Sequence, residues 1–327
     1  QDKKDINIRN FLAAIYSQLE EHEKAIQIYS ELFNTAKRPH ILNNRGAAYT
    51  KKGDLENAIA DFKKVLAFFP NSPAAHLNLG IAYYENNQLE QSLAEFNFII
   101  QELNSDNPDA YVSRGNVYRK QKNYSEARQD YQTAVRLNPK HDNAHVKLGI
   151  IHAITGEWHK AFEEYDLVIK TLNPKNSEAY FQRGNVHIQN NDLEKALQDF
   201  NETIRLKPNY LNALINRGFI YGLRQDWQRA IQDLENTVKI NPADGKAHNN
   251  LAFYYSNINQ HEKAESAIQK SIDLNFPLAY VTHGEILMKK GDYDEAEQAF
   301  REAYEKAPQH KELIDKNMQE LEKLREK

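Results

Sequence analysis

The chain has 327 residues, a formal net charge of −4 and no cysteine. That excludes disulfides and thiolate metal sites, and it argues against a general phosphate-backbone binder, which carries a basic stripe. No apolar run reaches the roughly 20 residues a membrane-spanning helix needs, and the Gln1 start without a leader suits either a cytoplasmic chain or a bacterial periplasmic or exported one.

In chain order, residues 1–5 are polar and are expected to fray. From residue 6 to residue 310 a single pattern recurs. Gly46, Gly80, Gly115, Gly149, Gly184 and Gly218 follow one another at 34, 35, 34, 35 and 34 residues, and Gly284 comes 66 later. Ala13 and Ala252 occupy the slots where the glycine is missing. A period of about 34 marks a repeat array, here of nine units.

Counting from each reference glycine, an aromatic or similar residue stands at +3, alanine at +12, an aromatic at +16 and proline at +24. From Gly46 these are Tyr49, Ala58, Phe62 and Pro70, and from Gly115 they are Tyr118, Ala127, Tyr131 and Pro139. Gly184 gives His187, Ala196, Phe200 and Pro208, and Gly284 gives Leu287, Ala296, Phe300 and Pro308. Small residues let two helices cross closely, large ones fill the space around the crossing, and proline ends the second helix.

Gly53, Asn87, Gly156, Asn191, Asn259 and Gly291 lie at +7 and tolerate the left-handed conformation that closes a helix. Asp54, Asn123, Asp192, Asp226 and Asp292 follow the turns as expected N-caps. Each unit is thus helix, tight turn, helix, with about 12–14 residues per helix. Two such helices cannot bury their apolar faces alone, so neighbouring units must stack. Residues 311–327 form no tenth unit. Leu313, Ile314, Met318, Leu321 and Leu324 share a face there, which predicts a capping helix.

Two further patterns run through the array. Arg45, Arg114, Arg183 and Arg217 precede the reference glycine in four units, and the same four carry Asp61, Asp130, Asp199 and Asp233 sixteen residues later. The slots lie symmetrically about the turn, which predicts an ion pair inside each of these units. His76, His145 and His248 share one slot with Tyr111, Tyr180 and Tyr280, so these histidines are expected to pack with a polar tip, not to bind metal. Trp158 and Trp227 are expected to pack between helices. No catalytic motif, phosphate-cradling loop or cofactor site is present in the sequence.

These offsets, with Leu79, Gly80, Ile81, Ala82 and Tyr83 as the most complete segment, resemble the tetratricopeptide repeat over residues 6–310. Ser92, His152 and His187 depart from its pattern, and the eighth unit is two residues short. The resemblance implies an all-α, right-handed α-solenoid superhelix whose first helices line a concave groove. It also implies a non-enzymatic protein-interaction scaffold or adaptor, binding a peptide or helix of a protein partner. Groove positions are expected to include Asn44, Asn78, Ile81, Tyr84, Asn116, Ile150, Phe181, Asn185, Asn216, Phe219, Asn250 and Phe253.

Asn44, Asn78, Asn216 and Asn250 are similar to the asparagine ladder of O-GlcNAc-transferase repeat domains, though Ser113, Lys147, Gln182 and Thr282 interrupt it. That likeness leaves a second reading, a recruiting or regulatory arm of an enzyme whose catalytic part is not in this chain. The dicarboxylate clamp of cochaperone repeats is not matched, because Val112 and Phe181 stand where lysines belong. Phe181, Ile215, Phe219 and Phe253 form the expected binding hot spot if they share one exposed surface. A nucleic-acid partner is not expected, and self-association is left open.

Overall fold

The computed structural model describes residues 3–103 and 105–326, and the regular elements among them are all helical. It divides into two compact units, Gln1–Asn173 and Pro174–Lys327. Residues 1 and 2 of the segment expected to fray lie outside the described residues, and the first helix already includes Lys3.

The first unit pairs α1 (Lys3–Gln18) with α2 (His22–Ala36), α3 (Pro39–Lys52) with α4 (Leu55–Phe68), and α5 (Pro73–Glu85) with α6 (Leu89–Asn97). It continues with α7 (Pro108–Lys120) and α8 (Tyr124–Leu137), then α9 (Asp142–Ile154) and α10 (Trp158–Leu167). The second unit pairs α11 (Ser177–Gln189) with α12 (Leu193–Leu206), α13 (Leu211–Leu223) with α14 (Trp227–Ile240), α15 (Gly245–Asn257) with α16 (His261–Asp273), and α17 (Ala279–Lys290) with α18 (Tyr293–Lys306). It ends in α19 (Lys311–Arg325). Within each unit the pairs stack as an α-solenoid.

The reference glycines have a direct steric cause. A Cβ on Gly149 would lie 2.5 Å from Cε1 of Tyr165, and one on Gly46 would lie 2.7 Å from Cε1 of Phe62. In each case the ring at +16 rests on bare first-helix backbone. These rings are fully buried (Phe62, Phe96, Tyr131, Tyr165, Phe200 and Phe300), so each contributes roughly 1.5–3 kcal/mol of apolar burial, as an upper estimate. Gly218 is the exception. The +16 slot of its pair holds Leu234, and the nearest atoms to an added Cβ are 3.4 Å away.

The tight turn is more uniform than its residues suggest. Besides the glycines and asparagines expected at +7, Glu20, Lys122 and Gln225 also adopt positive φ, at 62°, 64° and 57°. Pair geometry overrides the cost of roughly 1–2 kcal/mol that an L-residue bears there. The expected N-caps hold in part. Asp54, Asp192 and Asp226 accept from the backbone N–H groups of Asn57, Lys195 and Arg229, whereas Asn123 and Asp292 make no such bond. Asp292 instead pairs with Lys290 at 2.7 Å.

The 35-residue steps have a structural counterpart. They follow Gly80 and Gly149, and in those pairs α6 and α10 run on into wide π-type turns, Phe98–Glu102 and Val168–Leu172. An extra residue in a helix is absorbed in just this way.

At the C-terminal end α19 covers α17 and α18 with Ile314 and Leu321, which are buried, and Met318, which is half-buried. Leu313 does not join this face and is 40% exposed. Buried Asn317 takes part instead, donating to Glu285 Oε1 at 2.8 Å.

Candidate functional site on the first-helix face

In the first unit the first helices of three consecutive pairs line one cleft of about 310 Å³. Leu77, Ile81 and Tyr84 of α5 and Val112 of α7 form its apolar wall, while Ser113, Asn116 and Asn143 contribute polar groups. Glu85 and Asp109 stand at its two ends along the helices. Asp109 accepts from His141 Nε2 at 3.0 Å, and Lys120 Nζ lies over the Tyr84 ring, 4.7 Å from its centroid. Ile81, Tyr84 and Asn116, expected from the sequence, are therefore brought together. Asn116 is also held from behind, where its Oδ1 accepts from the Tyr131 hydroxyl at 2.8 Å.

In the second unit the same slots carry exposed aromatics. Phe219 on α13 is 46% exposed and Phe253 on α15 is 39% exposed, and Leu223, one turn beyond Phe219, is 56% exposed. The Phe253 ring meets Trp227 edge-on at 6.4 Å between centroids. Trp227 thus packs as expected, whereas Trp158 remains 39% exposed.

Phe181 does not belong to this surface. It is 7% exposed and its ring lies 4.9 Å from Tyr210 and 5.9 Å from Phe200. Val112 and Val146, three residues before their reference glycines, are buried as well. That slot lies one helical turn from the +1 slot on the same face; Phe181, Val112 and Val146 are covered there by neighbouring helices, Val112 still touching the cleft, while Leu77 at the same slot is half-buried. The remaining expected residues, Asn44, Asn78, Ile150, Asn185, Asn216 and Asn250, are half-buried.

Several of these asparagines are already occupied. Asn44 Nδ2 donates to Asn10 Oδ1 at 3.1 Å, Asn78 to Asn43 at 3.1 Å, and Asn216 to Asn185 at 2.8 Å. Each bond joins first helices of adjacent pairs within a unit. The carboxamides thus tie repeats together, and a partner's main chain would have to compete with that.

The charged network behind this face is structural. Arg45–Asp61, Arg114–Asp130, Arg183–Asp199 and Arg217–Asp233 all form, at 2.7, 2.7, 2.6 and 2.6 Å, each through two parallel N–H···O bonds. Arg45, Arg114 and Arg217 each use a further nitrogen to reach the preceding second helix, at Ser30, Asn97 and Asn201. Burial pushes the Asp130 carboxyl above its ordinary value, with Arg114 opposing, so this pair bears a desolvation cost.

In two of the pairs where leucine replaces the arginine, a histidine meets a glutamate that stands in the aspartate slot. His76 Nδ1 contacts Glu95 Oε2 and His145 Nδ1 contacts Glu164 Oε2, both at 2.6 Å. In each, Nε2 donates to a proline carbonyl, Pro70 at 2.8 Å and Pro139 at 3.1 Å. Burial lowers the basicity of His145, but Glu164 and Pro139 outweigh it and raise His145 above its ordinary value. This substitution was visible in the sequence: Glu95 and Glu164 occupy the aspartate slot in two of the three pairs with histidine at −4.

No helix is long and apolar enough to cross a membrane among the described residues. Profiles described as "Tetratricopeptide repeat" match residues 6–36, 108–141, 177–210, 234–266 and 277–310, and one described as "TPR repeat" matches residues 46–87. No curated protein sequence is significantly similar to the chain.

Among solved structures, a chain of the APC/C hetero-tetramer Cut9-Hcn1 is similar with a TM-score of 0.64 at 16% identity, over 81% of this chain and 52% of that one. This chain thus spans about half the length of that relative. A tetratricopeptide repeat protein from Parabacteroides merdae is similar with a TM-score of 0.57 at 18% identity, over 73% and 94% of the two chains. The human IFIT1 dimer with PPP-AAAA gives 0.59 at 19% identity, over 98% and 83%. At such identities the likeness concerns the fold alone.

Proposed function

The chain belongs to the tetratricopeptide repeat family, and we propose that it is a non-enzymatic scaffold whose first-helix face docks a segment of a protein partner. One observation carries this reading. The first helices leave large apolar side chains exposed at the +1 and +5 slots, Phe219, Leu223 and Phe253, although such residues are buried elsewhere in the same pairs. Exposed aromatics backed by a rigid packed array are the usual anchors of protein recognition. The mechanism is geometric: the stack holds the face in shape and the partner is positioned by several contacts at once.

An asparagine ladder gripping an extended main chain, and with it the recruiting arm of an enzyme, is the weaker reading, because Asn44, Asn78 and Asn216 are bonded to Asn10, Asn43 and Asn185. Nucleic acid stands outside the proposal, since the chain as a whole is acidic, with a formal net charge of −4, which argues against a general phosphate-backbone binder.

The test is affinity capture with the full chain against a Phe219→Ala/Phe253→Ala chain, followed by calorimetry with the captured partner. The double substitution should weaken binding at least tenfold while the thermal melting curve stays within about 2 °C of the parent. Unchanged affinity sinks the reading, and loss of the fold returns both rings to the core.

A further inference from the structure

The two ends of the array differ. The outer side of α19 exposes Lys311, Glu312, Lys316, Glu320 and Lys323, as a polar cap should. α1 instead exposes Phe11 at 68%, Leu19 at 63%, Ile8 at 58% and Leu12 at 40%. Its buried side is elsewhere, where Ile6 and Ala13 pack on α2 and α3. At 3.6 residues per turn, Ile8, Leu12, Ile15 and Leu19 fall within about 60° of one another, on the side away from Ile6 and Ala13. Phe11 stands at the edge of this stripe. Leu19 continues the helix, its N–H donating to the Ile15 carbonyl at 2.9 Å.

Part of this exposure is what any first helix shows when no pair precedes it. Ile8 and Leu12 stand at −5 and −1, where Ala75 and Leu79 of α5 are covered by α4. Phe11 and Leu19 are different. They stand at −2 and +6. The other eight units place a polar residue at −2 in every case, and at +6 in all but one, which has Ile258. A further pair stacked as the inner ones are meets an amide at −2, as Asn10 meets Asn44 and Asn43 meets Asn78, and leaves +6 largely in water. Large apolar side chains at these two slots suit a different neighbour.

We propose that this neighbour is α1 of a second copy of the chain, laid antiparallel across a two-fold axis. The spacing carries the choice. Ile8, Leu12, Ile15 and Leu19 are separated by 4, 3 and 4 residues, the alternation of a coiled-coil seam. That series reads the same in both directions, so two antiparallel copies set Ile8 against Leu19 and Leu12 against Ile15 at once. A two-fold interface requires such self-complementarity, and an unrelated protein requires none.

The seam itself is uncharged, and Arg9 beside it is held by Glu31 of α2, so pairing strands no ion. The four exposed side chains offer roughly 450 Å² of apolar surface per copy, or about 900 Å² in a pair before any polar rim, against the ~1,200 Å² at which specific interfaces begin. The seam shares no residue with the Phe219 and Phe253 surface, so this proposal goes beyond the docking reading and stands or falls separately.

Sedimentation velocity on the full chain, between about 1 and 100 µM, tests it. The chain should pass from monomer to dimer. Leu12→Glu and, separately, Leu19→Gln should each raise the dimer Kd at least tenfold, with the circular dichroism spectrum of the parent kept because both side chains are exposed. The chain has no cysteine, so Ile8→Cys and Leu19→Cys each introduce a single thiol. Mixed and oxidised, these two chains should cross-link to each other. Each alone should cross-link poorly, because its two thiols stand some 16 Å apart along the seam.

A chain that stays monomeric at the highest concentration overturns the proposal, whether or not another protein then binds α1. A dimer unmoved by both substitutions also overturns it, since the copies then meet elsewhere. Efficient cross-linking of Ile8→Cys to itself overturns it too, because the helices would then run in parallel.

Discussion

Replacing Arg217 with leucine should cost far more than replacing Arg217 and Asp233 together. The Asp233 side chain is 4% exposed and receives two bonds from Arg217, at 2.8 and 2.6 Å. Arg217→Leu strands that carboxylate in the pair interior, at a cost of about 3 kcal/mol, the lower end for a broken buried pair. Asp233→Ala leaves a guanidinium that is 20% exposed, can turn toward water and keeps its bond to Asn201, so about 1.5 kcal/mol is expected.

The double substitution copies the next pair, where Leu251 and Ala267 fill the same two slots at 3% and 7% exposure. It should fall within about 1 kcal/mol of the parent, giving a coupling on the order of 3 kcal/mol. Urea unfolding followed by circular dichroism supplies the energies, and hydrogen exchange in α13 and α14 locates the change. A double variant as unstable as Arg217→Leu, or an Arg217→Leu chain indistinguishable from the parent, refutes the account of the pair as a buried charge held by its partner.

Three other outcomes follow from the packing. Gly149→Ala drives a Cβ into the Tyr165 ring and should cost about 1–3 kcal/mol, whereas Gly218→Ala meets only ordinary contacts and should be neutral or stabilising; equal melting temperatures would contradict this. Gln225→Gly relieves a left-handed residue at φ 57° and should raise stability by about 0.5–1 kcal/mol in urea titration, after the entropy glycine costs.

The third concerns pH. His145 is raised in the folded chain, so its contribution is complete below about pH 6.5 and is lost as pH rises through its folded value. A His145→Tyr chain, carrying the residue found at this slot in other pairs, lacks that titration. The parent should therefore lose stability relative to the variant between pH 6 and 9. Parallel pH profiles would remove the proton from the account of this pair.

The amino-acid sequence by itself determined the repeated pair and its internal register. A small residue at the reference position, alanine at +12 and an aromatic at +16 have one common solution, a close crossing with a ring on bare backbone. The four arginine–aspartate pairs were legible for the same reason: two slots equidistant from a tight turn must come level.

What only the tertiary structure decided is depth and partnership. Helical periodicity assigns Phe181 and Phe219 to one face, but side-chain direction at the junction of neighbouring helices buries the first and exposes the second. Asn44, Asn78 and Asn216 read alike in the sequence, as groove amides or as links between repeats, and the spacing of adjacent first helices lets each bond across. Glu20, Lys122 and Gln225 are poor left-handed residues, held there because the pair must close whatever side chain stands at its turn. Local composition sets which conformations are cheap, and packing between helices selects which of them the chain adopts.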